Sequence, residues 1–276
     1  MKAADTAAKT LQLCFLCGVA SYCCQAHCDA HWARHGSLCS ELRGGPGSVP
    51  NLYNACLNGQ HEELTKMLQQ RPRLDVNWAT PDTGTTAAYV AAREGHDTCL
   101  SLLRQHSADL SKPRKEGGWA PMHAACWHGR YTCLMTLCLD QGVDVNLRIA
   151  DTAGQTPAML CCSNGMVKCL AVLLDRQPDM TLVNGNGHTA AHKACVYNQV
   201  KCLQLLIKRG CVDIAGQDRY GFTLLDVARM YGHRDCVDLL LENGAVGMRE
   251  KKIKPMTEAE KVCICIMLSL RIIIIS

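Results

Sequence analysis

The stretch G-W-A-P-M-H-A-A-C-W-H-G-R, residues 118 to 130, decides the fold. Its Pro sits where a first helical turn begins, so the missing N–H costs nothing. Small Ala residues follow, and Gly129 closes the segment where a left-handed conformation ends a helix. A helix this short cannot bury its own apolar surface, so it needs neighbours of the same kind. They lie along the chain: G-T-T-A-A-Y-V-A-A-R-E-G-H from Gly84, G-Q-T-P-A-M-L-C-C-S-N-G-M from Gly154, G-H-T-A-A-H-K-A-C-V-Y-N-Q from Gly187 and G-F-T-L-L-D-V-A-R-M-Y-G-H from Gly221.

The opening glycines Gly84, Gly118, Gly154, Gly187 and Gly221 are 34, 36, 33 and 34 residues apart, a period that marks a repeat array. Each line leads into a second apolar helix: T-C-L-S-L-L, T-C-L-M-T-L, K-C-L-A-V-L-L, K-C-L-Q-L-L and D-C-V-D-L-L-L. The Cys-Leu-x-x-Leu-Leu spacing follows the helical period. A diverged unit, L-Y-N-A-C-L-N-G-Q-H-E-E-L-T-K-M-L at 52 to 68, precedes them. No unit buries both faces alone, so units must stack. This pattern resembles the ankyrin repeat. The resemblance implies an all-α solenoid of helix-turn-helix repeats with β-hairpin fingers, about six of them over residues 51–247, the first and last acting as caps.

Residues 43–50, R-G-G-P-G-S-V-P, read as a linker, because Gly and Pro discourage a helix. The tail 248–276 is polar and then apolar, and is expected to be disordered. Its apolar run is fifteen residues long and is broken by Arg271, short of the roughly 20 residues a membrane span needs.

Residues 1–42 are of another kind. C-x2-C at Cys14 and Cys17 and H-x3-C at His35 and Cys39 supply a Cys₃His set, the usual closed structural zinc site. With Tyr22-Cys23 and His31-Trp32 the order resembles a MYND-type zinc finger, partly degenerate or truncated. In that family two zincs interleave, and Cys14, Cys17, His35 and Cys39 match one complete site. The second site departs from the pattern. Cys23 and His27 form one half of it, and residues 1 to 13 hold no cysteine. Cys24, Cys28 and His31 stand near enough to complete a non-standard site, and a missing N-terminus is the other reading. One Zn2+ is expected and a second is open. A zinc-stapled finger ahead of the solenoid completes the expected architecture, and MYND relatives often grip short Pro-containing peptides.

The chain has 276 residues and twenty cysteines, yet only six fall in the first 39 residues. No clear cleavage site follows the apolar run from Leu11 to Ala20, which points to a reducing compartment, cytoplasmic or nuclear. Cys99, Cys133, Cys169, Cys202 and Cys236 recur at one repeat position and are expected to pack as small core hydrophobes. Helices about 10 Å apart hold them too far from each other for disulfides. His123 and His192 are expected to cap or pack. A net charge of +4 is too weak to argue for nucleic acid.

No nucleophile elbow, phosphate loop, dinucleotide loop or kinase set appears, so the chain is not read as an enzyme. The resemblance implies a monomeric adaptor that binds a protein partner through the ankyrin groove and a short peptide through the finger. By register Trp119, Trp127, His128, Tyr197, Phe222, Met230 and Tyr231 fall on positions that, by the resemblance to ankyrin proteins, are expected to face the groove. Arg93 and Glu94 occupy the same positions one repeat earlier, as a polar rim. Trp and Tyr there read as interface anchors, against packing between repeats. Two other readings stay open: a zinc or redox sensor built on the Cys-rich N-terminus, and hydroxylation at Asn77 and Asn146.

Overall fold

A computed structural model describes residues 12–13, 21–22, 49–71, 74–150 and 154–247. At the N-terminal end, β1 (Gln12–Leu13) and β2 (Ser21–Tyr22) pair antiparallel, with Gln12 opposite Tyr22 and Leu13 opposite Ser21. The zinc candidates Cys14, Cys17, Cys23, His27, His35 and Cys39 lie outside the described residues, as does the tail from Met248. Among the described residues no helix is long and apolar enough to cross a membrane.

The described helices form six pairs. They are α1 (Val49–Leu57) with α2 (His61–Gln70), α3 (Ala87–Glu94) with α4 (Asp97–Gln105), and α5 (Pro121–Trp127) with α6 (Tyr131–Cys138). Then come α7 (Pro157–Asn164) with α8 (Val167–Leu174), α9 (Ala190–Val196) with α10 (Val200–Lys208), and α11 (Leu224–Tyr231) with α12 (Arg234–Glu242). Helix α1 begins at Val49, inside the stretch read as linker; Pro50 stands in its first turn, where Pro is tolerated.

First helices stack on first helices and second helices on second helices, giving two layers. The first layer packs more closely, because Ala91, Ala92, Ala124, Ala125 and Ala194 present almost no side chain at the contact. One continuous core runs from Leu52 to Ala245.

The first helices start on threonine. Thr86, Thr156, Thr189 and Thr223 each sit in extended backbone and accept a hydrogen bond from the backbone N–H three residues on. In α5 the capping position is Ala120, which has no acceptor. There His123 takes over: its Nδ1 accepts from the Ala120 N–H at 3.1 Å, and its Nε2–H donates to the Leu147 carbonyl at 2.8 Å. His192 Nδ1 meets Thr189 Oγ1 at 2.9 Å. The expectation that these histidines cap rather than ligate holds.

First helices end in left-handed residues. Gly95, Gly165 and Gly232 are the C-caps of α3, α7 and α11. In α5 and α9 the helix stops one residue earlier, at His128 and Tyr197, and Gly129 and Asn198 take the left-handed place. Orphan carbonyls at these ends are satisfied from the next repeat. Arg130 Nε donates to the Arg93 carbonyl at 3.1 Å, Gln199 Nε2 to Ser163 at 3.4 Å and His233 Nε2 to Val196 at 3.0 Å. Gly95 leaves the room this needs, since a Cβ there would stand 2.9 Å from Arg130 Cδ.

The expected β-hairpin fingers contain little strand. Ala79 bridges Thr86 and Gln217 bridges Thr223, and the fingers are further held by backbone bonds such as Asn184 N–H to the His188 carbonyl and Asp218 N–H to the Phe222 carbonyl, both at 3.0 Å, together with side-chain-to-backbone turns. Asp218 Oδ1 accepts from the N–H groups of Tyr220 and Phe222 at 2.8 and 2.9 Å. Asn184 Oδ1 does the same for Asn186 and His188, at 2.9 and 3.0 Å. Short Asx turns satisfy the N–H groups at the finger tips that the few backbone bonds leave over.

Candidate partner-binding face

The face bounded by the first helices and the fingers holds the candidate residues, and the geometry joins some of them. Trp119 stands just before α5 and Trp127 ends it. Their rings meet edge to face, centroids 5.7 Å apart and planes at 81°, a favoured aromatic geometry. Trp119 also meets the His123 ring at 6.2 Å. Both tryptophans are half-buried against the core, so the pair is partly packing and partly surface. His128, next in sequence, reaches solvent over part of its surface; burial of the rest of its ring, with Arg130 and Arg93 close by, lowers its pKa.

Arg93 and Glu94, expected as a rim, pair with each other at 2.7 Å and are half-buried. The Asn164 amide donates to the Trp127 carbonyl at 3.2 Å, fixing the end of α5 against the next repeat. Tyr197 lies under the Lys193 ammonium, 5.3 Å from ring centroid to nitrogen. Tyr231 stacks on His233 at 6.0 Å with planes 16° apart. Phe222 is half-buried against the core beside the Asp218 turn, and Met230 is half-buried with it at the last first helix. The candidates therefore fall into two groups. One is the Trp119–Trp127 pair with Arg93, Glu94 and His128. The other is Tyr197, Phe222, Met230 and Tyr231 in the last two repeats.

His188 joins α9 to the following finger. Its Nε2 lies 3.3 Å from Asp218 Oδ2, and its ring stacks on His192 at 5.6 Å with planes 6° apart. Burial is the main cause that brings its pKa down to about 4, with His192 and Lys193 adding to it. The ring is neutral, and its Nε2–H donates to the carboxylate.

Sequence reasoning missed three features. Arg114 lies over the Tyr89 ring at 5.2 Å, between the finger and α3. Tyr131, Met135 and Leu139 are 41%, 52% and 65% exposed, an apolar stripe at spacing four on the outer layer. Lys193 is buried on α9. The stripe was visible in the sequence as i, i+4, i+8, but the same spacing marks a buried helix face.

The repeat cysteines are buried and free, as expected of core residues. Burial pushes Cys133 up to about 12 and Cys236 to about 11, so these thiols stay protonated and unreactive. For Cys99 and Cys202 the nearest thiols lie on first helices. Cys56 and Cys162 of first helices face Cys99 and Cys202 of the following repeats' second helices closely enough for each thiol to shift the other's pKa. Among the described residues no group of Cys, His, Asp or Glu is arranged to hold a metal. Asn77 and Asn146 work in the fingers: their Oδ1 atoms accept from the N–H groups of Asp109 and Asp179 at 2.6 and 2.9 Å.

Paired helices on a shared core, joined by turned fingers, define a helical-repeat interaction module. A family model described as ankyrin repeats (3 copies) matches residues 52–149 and 158–250, and the chain belongs to this family. It is 37% identical over 92 residues to the target of rapamycin complex 2 subunit AVO2 of Saccharomyces cerevisiae, 33% of this chain and 21% of that protein. It is 29% identical over 211 residues to the probable E3 ubiquitin-protein ligase XBOS33 of Oryza sativa subsp. japonica, 73% of this chain and 39% of that protein. The chain thus matches well under half the length of either relative. Among solved structures it resembles the human ASB11 ankyrin repeat domain, with a TM-score of 0.60 and 21% identity over 78% of this chain and 96% of that one. A chain of the solved complex of a Bdellovibrio bacteriovorus predatory endopeptidase with its immunity protein also matches, with a TM-score of 0.60 and 24% identity over 69% of this chain and 96% of that one. At these identities the likeness concerns the fold.

Proposed function

We propose that this chain is an interaction adaptor which captures a protein partner on the face of first helices and fingers, with Trp119 and Trp127 as the central anchor. The observation that carries the reading is the edge-to-face tryptophan pair, half-buried at the third of six repeats. Rigid aromatic area near the centre of a surface is the commonest source of binding energy. Exposed His128 and the Arg93–Glu94 pair give that area a polar border. Tyr197, Phe222, Met230 and Tyr231 extend the face toward the last repeat.

A second contact, through a zinc-stapled finger at residues 1–42, rests on the donor set Cys14, Cys17, His35 and Cys39, with Cys23 and His27 as half of a further set. Three thiolates and one imidazole suit a closed tetrahedral site. Two contacts on one monomeric chain raise the effective concentration of one partner near the other. The adaptor is proposed to work in the cytoplasm or nucleus. XBOS33 is named as a probable ligase over a length that this chain matches only in part; what is carried over is partner capture, not catalysis.

The test is capture from native lysate by the full chain and by Trp119→Ala/Trp127→Ala, followed by affinity measurement on the recovered partner. The reading expects the double variant to lose capture while its melting transition moves little. A large loss of stability, or undiminished capture, overturns the anchor. Zinc content of the full chain against Cys39→Ser tests the finger; absence of bound zinc overturns it.

A further inference from the structure

Lys193 occupies a position that four of the other five repeats fill with apolar residues, the first repeat having the exposed Asn54 there. Counted from the opening glycine of each repeat, its equivalents are Val90, Ala124, Leu160 and Val227, all of them buried. Lys193 is only 6% exposed. Among the described residues no carboxylate forms an ion pair with it. The acids on neighbouring elements make no ion pair with it, although Asp226 Oδ1 is buried without a hydrogen-bond partner. Asp218 Oδ1 accepts two backbone N–H groups and its Oδ2 faces His188. Asp226 Oδ2 accepts from the Thr223 N–H at 3.0 Å and from its hydroxyl at 2.7 Å. What Lys193 has is the Tyr197 ring at 5.3 Å, on one of the groove-facing positions.

An ammonium ion in such a place is costly. Desolvation disfavours the charge, and burial brings the pKa of Lys193 down to about 8. The Tyr197 ring offsets part of this, since a cation over an aromatic face is attracted to it. A methionine or leucine would pack at this position without that cost. The chain therefore keeps at this point a positive charge that its own fold does not neutralise.

We propose that Lys193, held over Tyr197, is the charge anchor of the groove and receives the side-chain carboxylate of an aspartate or glutamate in an otherwise apolar segment of the protein partner. This rests on the groove reading above and adds the chemistry of the occupant. The partner's carboxylate completes an ion pair in a desolvated pocket, where such a pair contributes to specificity and slows dissociation. The Trp119–Trp127 pair lies two repeats away. At about 10 Å per repeat that is about 20 Å, the span of about six residues of extended chain. One segment can thus place an apolar side chain on the tryptophans and an acid on Lys193.

The probe is a random peptide display library selected on the full chain. The strongest peptides are then measured against Lys193→Met, Lys193→Arg and Trp119→Ala/Trp127→Ala. The expected peptides carry one essential acid. Replacing that acid with its amide, or Lys193 with Met, weakens binding about tenfold or more, the size of one hot-spot contact, and the two changes together cost little more than either. Lys193→Arg retains much of the affinity. Lys193→Met also raises the melting temperature of the free chain, because an unpaired buried charge is removed. Peptides that fail on the tryptophan variant but bind Lys193→Met unchanged overturn the lysine anchor and leave the groove standing. Peptides indifferent to the tryptophans overturn the groove reading, and if they also ignore Lys193 the anchor falls with it. A lower melting temperature for Lys193→Met would show that the lysine is structural and overturn the proposal on its own.

Discussion

The two helix layers recur with the same period but do different work. First helices are short, rich in alanine, capped by threonine or histidine and bordered by half-buried aromatics. Second helices are built on Cys-Leu-x-x-Leu-Leu, turn leucine inward and carry no side-chain N-cap at Gln60, His96, Arg130, Met166, Gln199 or His233. Most expose lysine, aspartate or arginine, while α6 exposes Tyr131, Met135 and Leu139. The first layer must pack closely and also present a surface, so a single side chain there serves both ends. The second layer keeps the two apart, leucine inside and variable residues outside. Under the proposed reading, a substitution at a core-facing first-layer residue changes both stability and binding, one at the half-buried aromatic border changes mainly binding, and one on the outer face of the second layer changes neither.

Leu160 against Met135 breaks that comparison most sharply. Leu160, in α7, is fully buried, and Met135, in α6, is 52% exposed. Leu160→Ala removes transfer energy and leaves a cavity between repeats, a loss of about 2–5 kcal/mol. Met135→Ala stays within about 0.5 kcal/mol. Urea unfolding followed by circular dichroism checks both. Equal losses would mean that the outer stripe is covered in the folded chain.

A smaller effect separates the capping histidine from its threonine counterparts. His123 joins the start of α5 to the following finger, through Ala120 and Leu147. Thr156 serves its own helix only, accepting from the Met159 N–H at 3.4 Å. His123→Ala leaves a buried N–H and a carbonyl unpaired and is expected to lose about 1–3 kcal/mol. Thr156→Ala is expected to lose about 1 kcal/mol. A reversed order in chemical denaturation would show that the link between repeats contributes little.

The repeat array was legible because each physical requirement leaves a separate mark. Left-handed caps ask for Gly95, Gly165 and Gly232, helix starts ask for Thr86 and Thr156, and tight first-layer contacts ask for alanine. Lys193 was not legible. In a register column of mostly apolar residues it read as one more variable position, and only its neighbours in space show that its charge lacks a partner. The thiol contacts were hidden for the same reason. The recurring Cys99 and Cys202 were evident as a column, but their partners, Cys56 and Cys162, belong to another column of the preceding repeat. Periodicity reports which residues share a position. It does not report which positions face each other across two repeats.

His188 gives the mildest test, because it adds nothing at neutral pH. Its folded pKa is about 4, mainly through burial, against about 6.5 in an unfolded chain. Between those values the unfolded chain takes up a proton that the folded chain refuses, so stability falls as pH drops from about 6.5 toward 4 and is unaffected above that window. His188→Gln keeps a donor toward Asp218 and removes the titration. The fall in melting temperature between pH 6.5 and 4 is expected to be shallower in the variant, with the two proteins alike at pH 7.5. Parallel curves would mean that the ring is open enough to water to protonate in place. The joint between fingers and first helices would then be looser than the core it borders, and the first layer's double role would rest on its apolar packing alone.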